Sequence, residues 1–153
     1  MRRLLPVLVL AASAPLFASA AAGAGDALYE IKKTEPKVAV GATGTASLTI
    51  TTKGGWHVNA EAPISIAVTP PAGVSVPKPK LTRADLAASS ETTARFDIVL
   101  SAIEAGKKTI NAEARFVLCQ EQACKPVKET VALLVEVTPA IAEKEPAKKP
   151  KRK

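Results

Sequence analysis

From about residue 27 to residue 138, apolar and polar side chains alternate with a period of two. Ala46, Leu48 and Ile50 are interleaved with Thr45, Ser47, Thr49 and Thr51. Ala94, Phe96, Ile98 and Leu100 are interleaved with Thr93, Arg95, Asp97 and Val99. A longer run sets Ile110, Ala112, Ala114, Phe116 and Leu118 against Thr109, Asn111, Glu113, Arg115 and Val117, and a last one places Val131, Leu133, Val135 and Val137 in phase. Successive side chains of a strand point to opposite faces, so each run predicts a strand with one face buried. Shorter candidates lie at 28–33, 37–40, 55–59, 64–69 and 73–76. Turn residues separate them: Gly41 to Gly44, Lys53-Gly54-Gly55, Pro70-Pro71-Ala72-Gly73 and Ala105-Gly106-Lys107. Many short strands punctuated in this way predict an all-β chain folded as an immunoglobulin-like two-sheet β-sandwich. Only Leu81 to Ala88 reads as helical, for one or two turns inside a loop that runs to Ser90.

The two ends depart from this pattern. Met1-Arg2-Arg3, an apolar stretch from Leu4 to Phe17 and the tripeptide Ala18-Ser19-Ala20 follow the order of a secretory signal peptide. The apolar stretch is short for a bilayer and holds Pro6 and Pro15, which favours a cleaved signal over a retained anchor. The expected organisation is therefore a signal peptide at 1–20, an unstructured lead-in at 21–27, one β-sandwich at 28–138 and a basic tail at 139–153. The expected location is the periplasm, an oxidising compartment.

Charge is informative mainly through its distribution. The formal total is +7. Arg2 and Arg3 leave with the signal, and residues 143–153 carry six Lys or Arg against two Glu, so the sandwich itself holds only about +1. Without a basic stripe, and with five aromatics in the whole sequence, a nucleic-acid partner is not expected. The tail, rich in Pro and Lys, reads as a disordered, solubilising end. Its other reading is weak contact with an anionic surface, worth up to roughly 1 kcal/mol per basic residue.

The chemistry is concentrated in the chain's two cysteines, Cys119 and Cys124. One ends the strand 109–118, the other precedes the strand 127–137, and Gln120-Glu121-Gln122-Ala123 forms a four-residue loop between them. A hairpin of this kind sets the cysteines opposite each other, within disulfide reach, and oxidation after export would join them. Counting by twos places both on the outer face, away from Phe116 and Leu118. Lys125 and Lys128 would lower the thiol pKa of the reduced form, and Glu121 would oppose them.

Three uses of the pair remain open on the residues alone. A permanent disulfide in a non-redox interaction domain is one. The chain-entropy model gives such a short ring only about 2 kcal/mol, against nearly 5 for a loop of about 100 residues. Exchange with another thiol is the second, favoured by an accessible sulfur at a hairpin mouth. Metal binding with His57 is the third, but C-x4-C with one distant His is a poor zinc pattern; no metal and no cofactor are expected. Trp56 reads as sandwich core. His57 reads as a structural or surface side chain, since nothing in the spacing brings it to the hairpin.

A resemblance bears on the choice. Phe116-Val117-Leu118-Cys119-Gln120-Glu121-Gln122-Ala123-Cys124-Lys125-Pro126 resembles the cysteine hairpin of the N-terminal periplasmic domain of the thiol:disulfide interchange protein DsbD. Gly54-Gly55-Trp56-His57-Val58-Asn59-Ala60-Glu61-Ala62-Pro63 is similar to the "GWHIN…P" strand of that family, and Pro71-Ala72-Gly73-Val74 to its "P-x-G-V" turn. The likeness spans about 28–138. It implies an immunoglobulin-like domain whose cysteine pair carries reducing equivalents between thioredoxin-fold redox proteins or a membrane thiol reductant and periplasmic acceptors. By the same resemblance Cys124 forms the mixed disulfide and Cys119 resolves it. The family covers its cysteines with a cap loop bearing an aromatic. The corresponding stretch here, roughly Leu81 to Thr93, has none, so Leu81 or Leu86 would take that place. The sequence contains neither the membrane segments nor the thioredoxin-like domain of the full-length protein, so it is expected to act alone or with separate partners.

Overall fold

A computed structural model describes residues 27–140. The expected signal peptide, nearly all of the lead-in and the tail from residue 141 lie outside the described residues. In chain order the strands are β1 (Tyr29–Lys33), β2 (Lys37–Ala39), β3 (Thr43–Thr52), β4 (His57–Val58), β5 (Ser65–Thr69), β6 (Val74–Ser75), β7 (Lys80–Thr82), β8 (Leu86–Ser89), β9 (Thr93–Ala102), β10 (Gly106–Gln120) and β11 (Ala123–Thr138). They form two sheets. One runs β1-β3-β9-β6, with β8 also on β9; the other runs β2-β11-β10-β5-β7, with β4 also on β10. Pairing is antiparallel except between β2 and β11. The architecture is the immunoglobulin-like two-sheet sandwich that the alternating pattern predicts.

The alternation is realised residue by residue. Ala94, Phe96, Ile98, Leu100 and Ala102 of β9 are buried and their neighbours along the strand are not. On β10, Ile110, Ala112, Ala114, Phe116 and Leu118 face them across the sandwich interior. Phe116 is 2% exposed, and the Tyr29 ring stands edge-on to it with centroids 5.2 Å apart and planes at 90°. The Tyr29 hydroxyl donates to the Glu129 carboxylate on β11, so one side chain ties the first strand of one sheet to the long hairpin of the other. Partial burial, reinforced by the bond to Glu129 and its charge, pushes the Tyr29 hydroxyl up to about 12.

The segment after β6 differs from the helical expectation. Leu81 to Ala88 is not a helix: β7 pairs with β5, a single 3₁₀ turn covers Arg83–Asp85, and β8 pairs with β9. Asp85 closes that turn by accepting from the Thr82 backbone N–H at 2.9 Å and from Lys78 Nζ. A capped 3₁₀ turn satisfies the local polar groups, and flanking residues go to open sheet edges rather than propagating a helix.

Candidate functional site

The long hairpin fixes the cysteines. β10 and β11 pair without interruption from Gly106↔Val137 to Gln120↔Ala123, which sets Cys119 opposite Cys124. The turn is shorter than expected: the strands run past both cysteines, and only Glu121 and Gln122 lie outside the ladder. The two sulfurs are bonded, with the Cα atoms 4.1 Å apart.

The two sulfurs are not equivalent. Cys124 is exposed, whereas Cys119 is only 4% exposed. The expectation that both stand open on the outer face is therefore corrected for Cys119. Its neighbour Leu118 does fill the core, so the parity of the strand holds. At this point β10 is flanked by a segment distant in sequence, from which the Asn59 side chain reaches the Cys119 sulfur. Gly54 and Gly55, both at positive φ (62° and 76°), make the turn after β3, closed by the Trp56 N–H donating to the Lys53 carbonyl at 3.2 Å. This turn carries the chain from one sheet to the other and lays β4 beside β10 past the stretch paired with β5, matching His57 with Cys119 and Val58 with Leu118. Gln120 Nε2 donates to the Gly54 carbonyl at 3.0 Å and ties the turn to the hairpin. His57 is thus brought beside the disulfide, which spacing along the sequence does not reveal. Trp56 is half-buried at the margin of the core rather than within it.

Asn59 completes the cover. Its backbone N–H donates to the Val117 carbonyl at 2.9 Å, continuing the β4 edge beyond Val58. Its side-chain Oδ1 accepts from the backbone N–H groups of Glu61 (2.8 Å) and Ala62 (3.0 Å), an Asx turn. With the oxygen engaged by two donors, the orientation of the amide is settled, and Nδ2 donates to Cys119 Sγ at 3.2 Å. The Asn-Ala-Glu-Ala sequence carries the turn signal, but only the tertiary pairing of β4 shows that the amide meets a cysteine.

Other candidates are distributed differently. Leu81 points into the core (5% exposed) and does not serve as a cap. Leu86 is half-buried and lines a cleft that it shares with His57, Val58 and Asn59. Lys128 is engaged at 3.1 Å with Glu113, which also binds Arg115 at 2.7 Å. These two cations hold the Glu113 carboxyl below its usual range. Lys125, opposite Leu118, is the basic residue that lies next to Cys124 in the chain. Among the described residues no cluster of three or more His, Cys, Asp or Glu is placed to hold a metal ion.

No family model matches the chain. No curated protein matches it either. Among solved structures it is similar to domains 4 and 5 of the S-layer protein SbsC, at 17% identity and a TM-score of 0.39, over 71% of this chain and 50% of that one. This chain thus spans half the length of that structure. It is also similar to AggA, the major subunit of aggregative adherence fimbriae type I from Escherichia coli, at 15% identity and a TM-score of 0.37, over 72% of this chain and 94% of that one.

Proposed function

We propose that this chain is a periplasmic thiol:disulfide exchange module that passes reducing equivalents between thioredoxin-fold partners, or from a membrane thiol reductant, through Cys119 and Cys124. The observation that carries this reading is the asymmetry of the pair: an exposed Cys124 bonded to a covered Cys119. Thiol–disulfide exchange requires a thiolate to reach one sulfur and displace the other, so access selects the sulfur attacked and the environment of the second selects the leaving group. Cys124 is the reachable sulfur and Cys119 the displaced one. The order agrees with the roles implied by the resemblance to the DsbD N-terminal domain over 28–138. A six-residue ring within one hairpin constrains little of the unfolded chain, which fits an exchange role better than a stabilising one.

Single-cysteine variants test the assignment. Cys119→Ala keeps Cys124 as a free thiol. Mixed with a thioredoxin that retains one active-site cysteine, activated as an aromatic disulfide, it is expected to accumulate the mixed disulfide rapidly. Cys124→Ala keeps only the covered thiol and is expected to react at least tenfold more slowly. Equal rates, or no adduct with either variant, would remove the exchange reading.

A further inference from the structure

Resting on the exchange reading, we propose that Asn59 is a catalytic residue: its side-chain amide holds the negative charge that develops on Cys119 Sγ when Cys124 Sγ is attacked. In that step the thiolate of a dithiol partner donates an electron pair to Cys124 Sγ and a new S–S bond forms. The Cys119–Cys124 bond breaks, and its electron pair stays on Cys119 Sγ as a thiolate. The partner's second thiolate then attacks the partner's own sulfur and expels Cys124. Both cysteines of this chain take up protons, so the chain is reduced by two electrons and the partner dithiol becomes a disulfide. The displaced sulfur is the one shielded from water, and a buried thiolate without a donor is costly.

Asn59 Nδ2 already lies 3.2 Å from that sulfur while it is still in the disulfide. It needs no reorientation, because the Glu61 and Ala62 N–H groups at 2.8 and 3.0 Å hold Oδ1, and the Val117 carbonyl at 2.9 Å holds the backbone. A fixed donor aimed at the atom where charge appears acts as an oxyanion hole does for an acyl-transfer intermediate. A neutral disulfide sulfur is a weak acceptor and a thiolate a strong one. The bond therefore strengthens as the S–S bond breaks, the condition for lowering a barrier rather than stabilising the resting state.

The test separates donation to sulfur from support of the turn. Asn59→Ser removes the reach to Cys119 but keeps an oxygen able to accept from the next turn. Asn59→Asp keeps the turn acceptor and replaces the amide donor by a carboxylate. Each is made in the Cys124→Ala background, and the Cys119 thiolate is followed by its ultraviolet absorbance against pH. The titratable side chains nearest by sequence and register, His57, Glu61, Glu121 and Lys125, are the same in all variants. The Cys119 pKa is expected to rise by about one unit with Ser and by about two with Asp. In the otherwise native chain, reduction by dithiothreitol is expected to slow by about threefold with Ser, following the weaker leaving group. If Ser loosens the turn, amide protection at Glu61 and Ala62 falls, and the Asp variant, which retains both bonds, carries the comparison. An unchanged Cys119 pKa in Asn59→Ser with amide protection at Glu61 and Ala62 intact, or in folded Asn59→Asp, would overturn the proposal. The titration uses no protein partner, so failure of the exchange reading in the trapping experiment is read separately.

Discussion

Alanine at Phe116 is expected to lower the unfolding free energy by about 3–5 kcal/mol, the range for removing a large aromatic from a packed core. The ring is 2% exposed and sits on β10, the central strand of its sheet, between β11 on one edge and β5 on the other. Truncation opens a cavity and withdraws the ring that packs perpendicular to Tyr29 at 5.2 Å. Tyr29 is in turn the side chain that joins β1 to Glu129 on β11, so the loss reaches the contact between the sheets. Urea denaturation followed by circular dichroism measures the effect as a lower midpoint with an unchanged slope. Val99→Ala serves as the control. Val99 lies on β9 and is 48% exposed, and its truncation is expected to stay within about 0.5 kcal/mol. A Phe116→Ala loss below about 1 kcal/mol would mean that the two sheets do not pack as described.

Reducing the disulfide is expected to cost about 2 kcal/mol and to leave the chain folded. The ring it closes spans residues 119–124 at the tip of a ladder that is otherwise continuous to Gly106↔Val137. The core residues nearest the bond, Leu118 and Phe116, are buried by the opposite sheet rather than by the sulfur bridge. An exchange module has to survive in both redox states, and a staple on which the fold depends does not. Urea curves with and without a thiol reductant measure this. A modest shift of the midpoint is expected, and unfolding on reduction would assign the bond a structural role instead.

How much of this is legible in the sequence depends on the range of the interaction concerned. The strands through Ala46–Ile50, Ala94–Leu100 and Ile110–Leu118 are legible because half-burial writes a period of two into each of them. The facing of Cys119 and Cys124 is legible for a similar reason, since a short connection between long strands fixes register locally. The Leu81–Ala88 segment is not, because its state is decided by the edges of β5 and β9, which lie elsewhere in the chain. The length of the turn is misread for a related reason. Gln120 and Ala123 continue no run of alternating apolar residues, yet they pair because the ladder beneath them is already in register. The covering of Cys119 is the most distant effect. It depends on Gly54 and Gly55 taking positive φ, on β4 docking against β10, and on the Asn59 side chain turning back through its own Asx turn. The sequence carries each component, but nothing local joins them to the cysteine.

Whether Cys119–Cys124 is a bond made to be exchanged is measured directly by its reduction potential. Equilibrating the full chain against defined ratios of reduced and oxidised thioredoxin, then quantifying the thiols by alkylation and mass, gives the value. Thioredoxin itself lies at about −270 mV, and structural disulfides typically lie below about −300 mV. The predicted result is a potential above that structural limit, with the pair reduced readily by thioredoxin and reoxidised when the ratio is reversed. A pair that stays oxidised with reduced thioredoxin in large excess would contradict the account and leave a permanent hairpin disulfide.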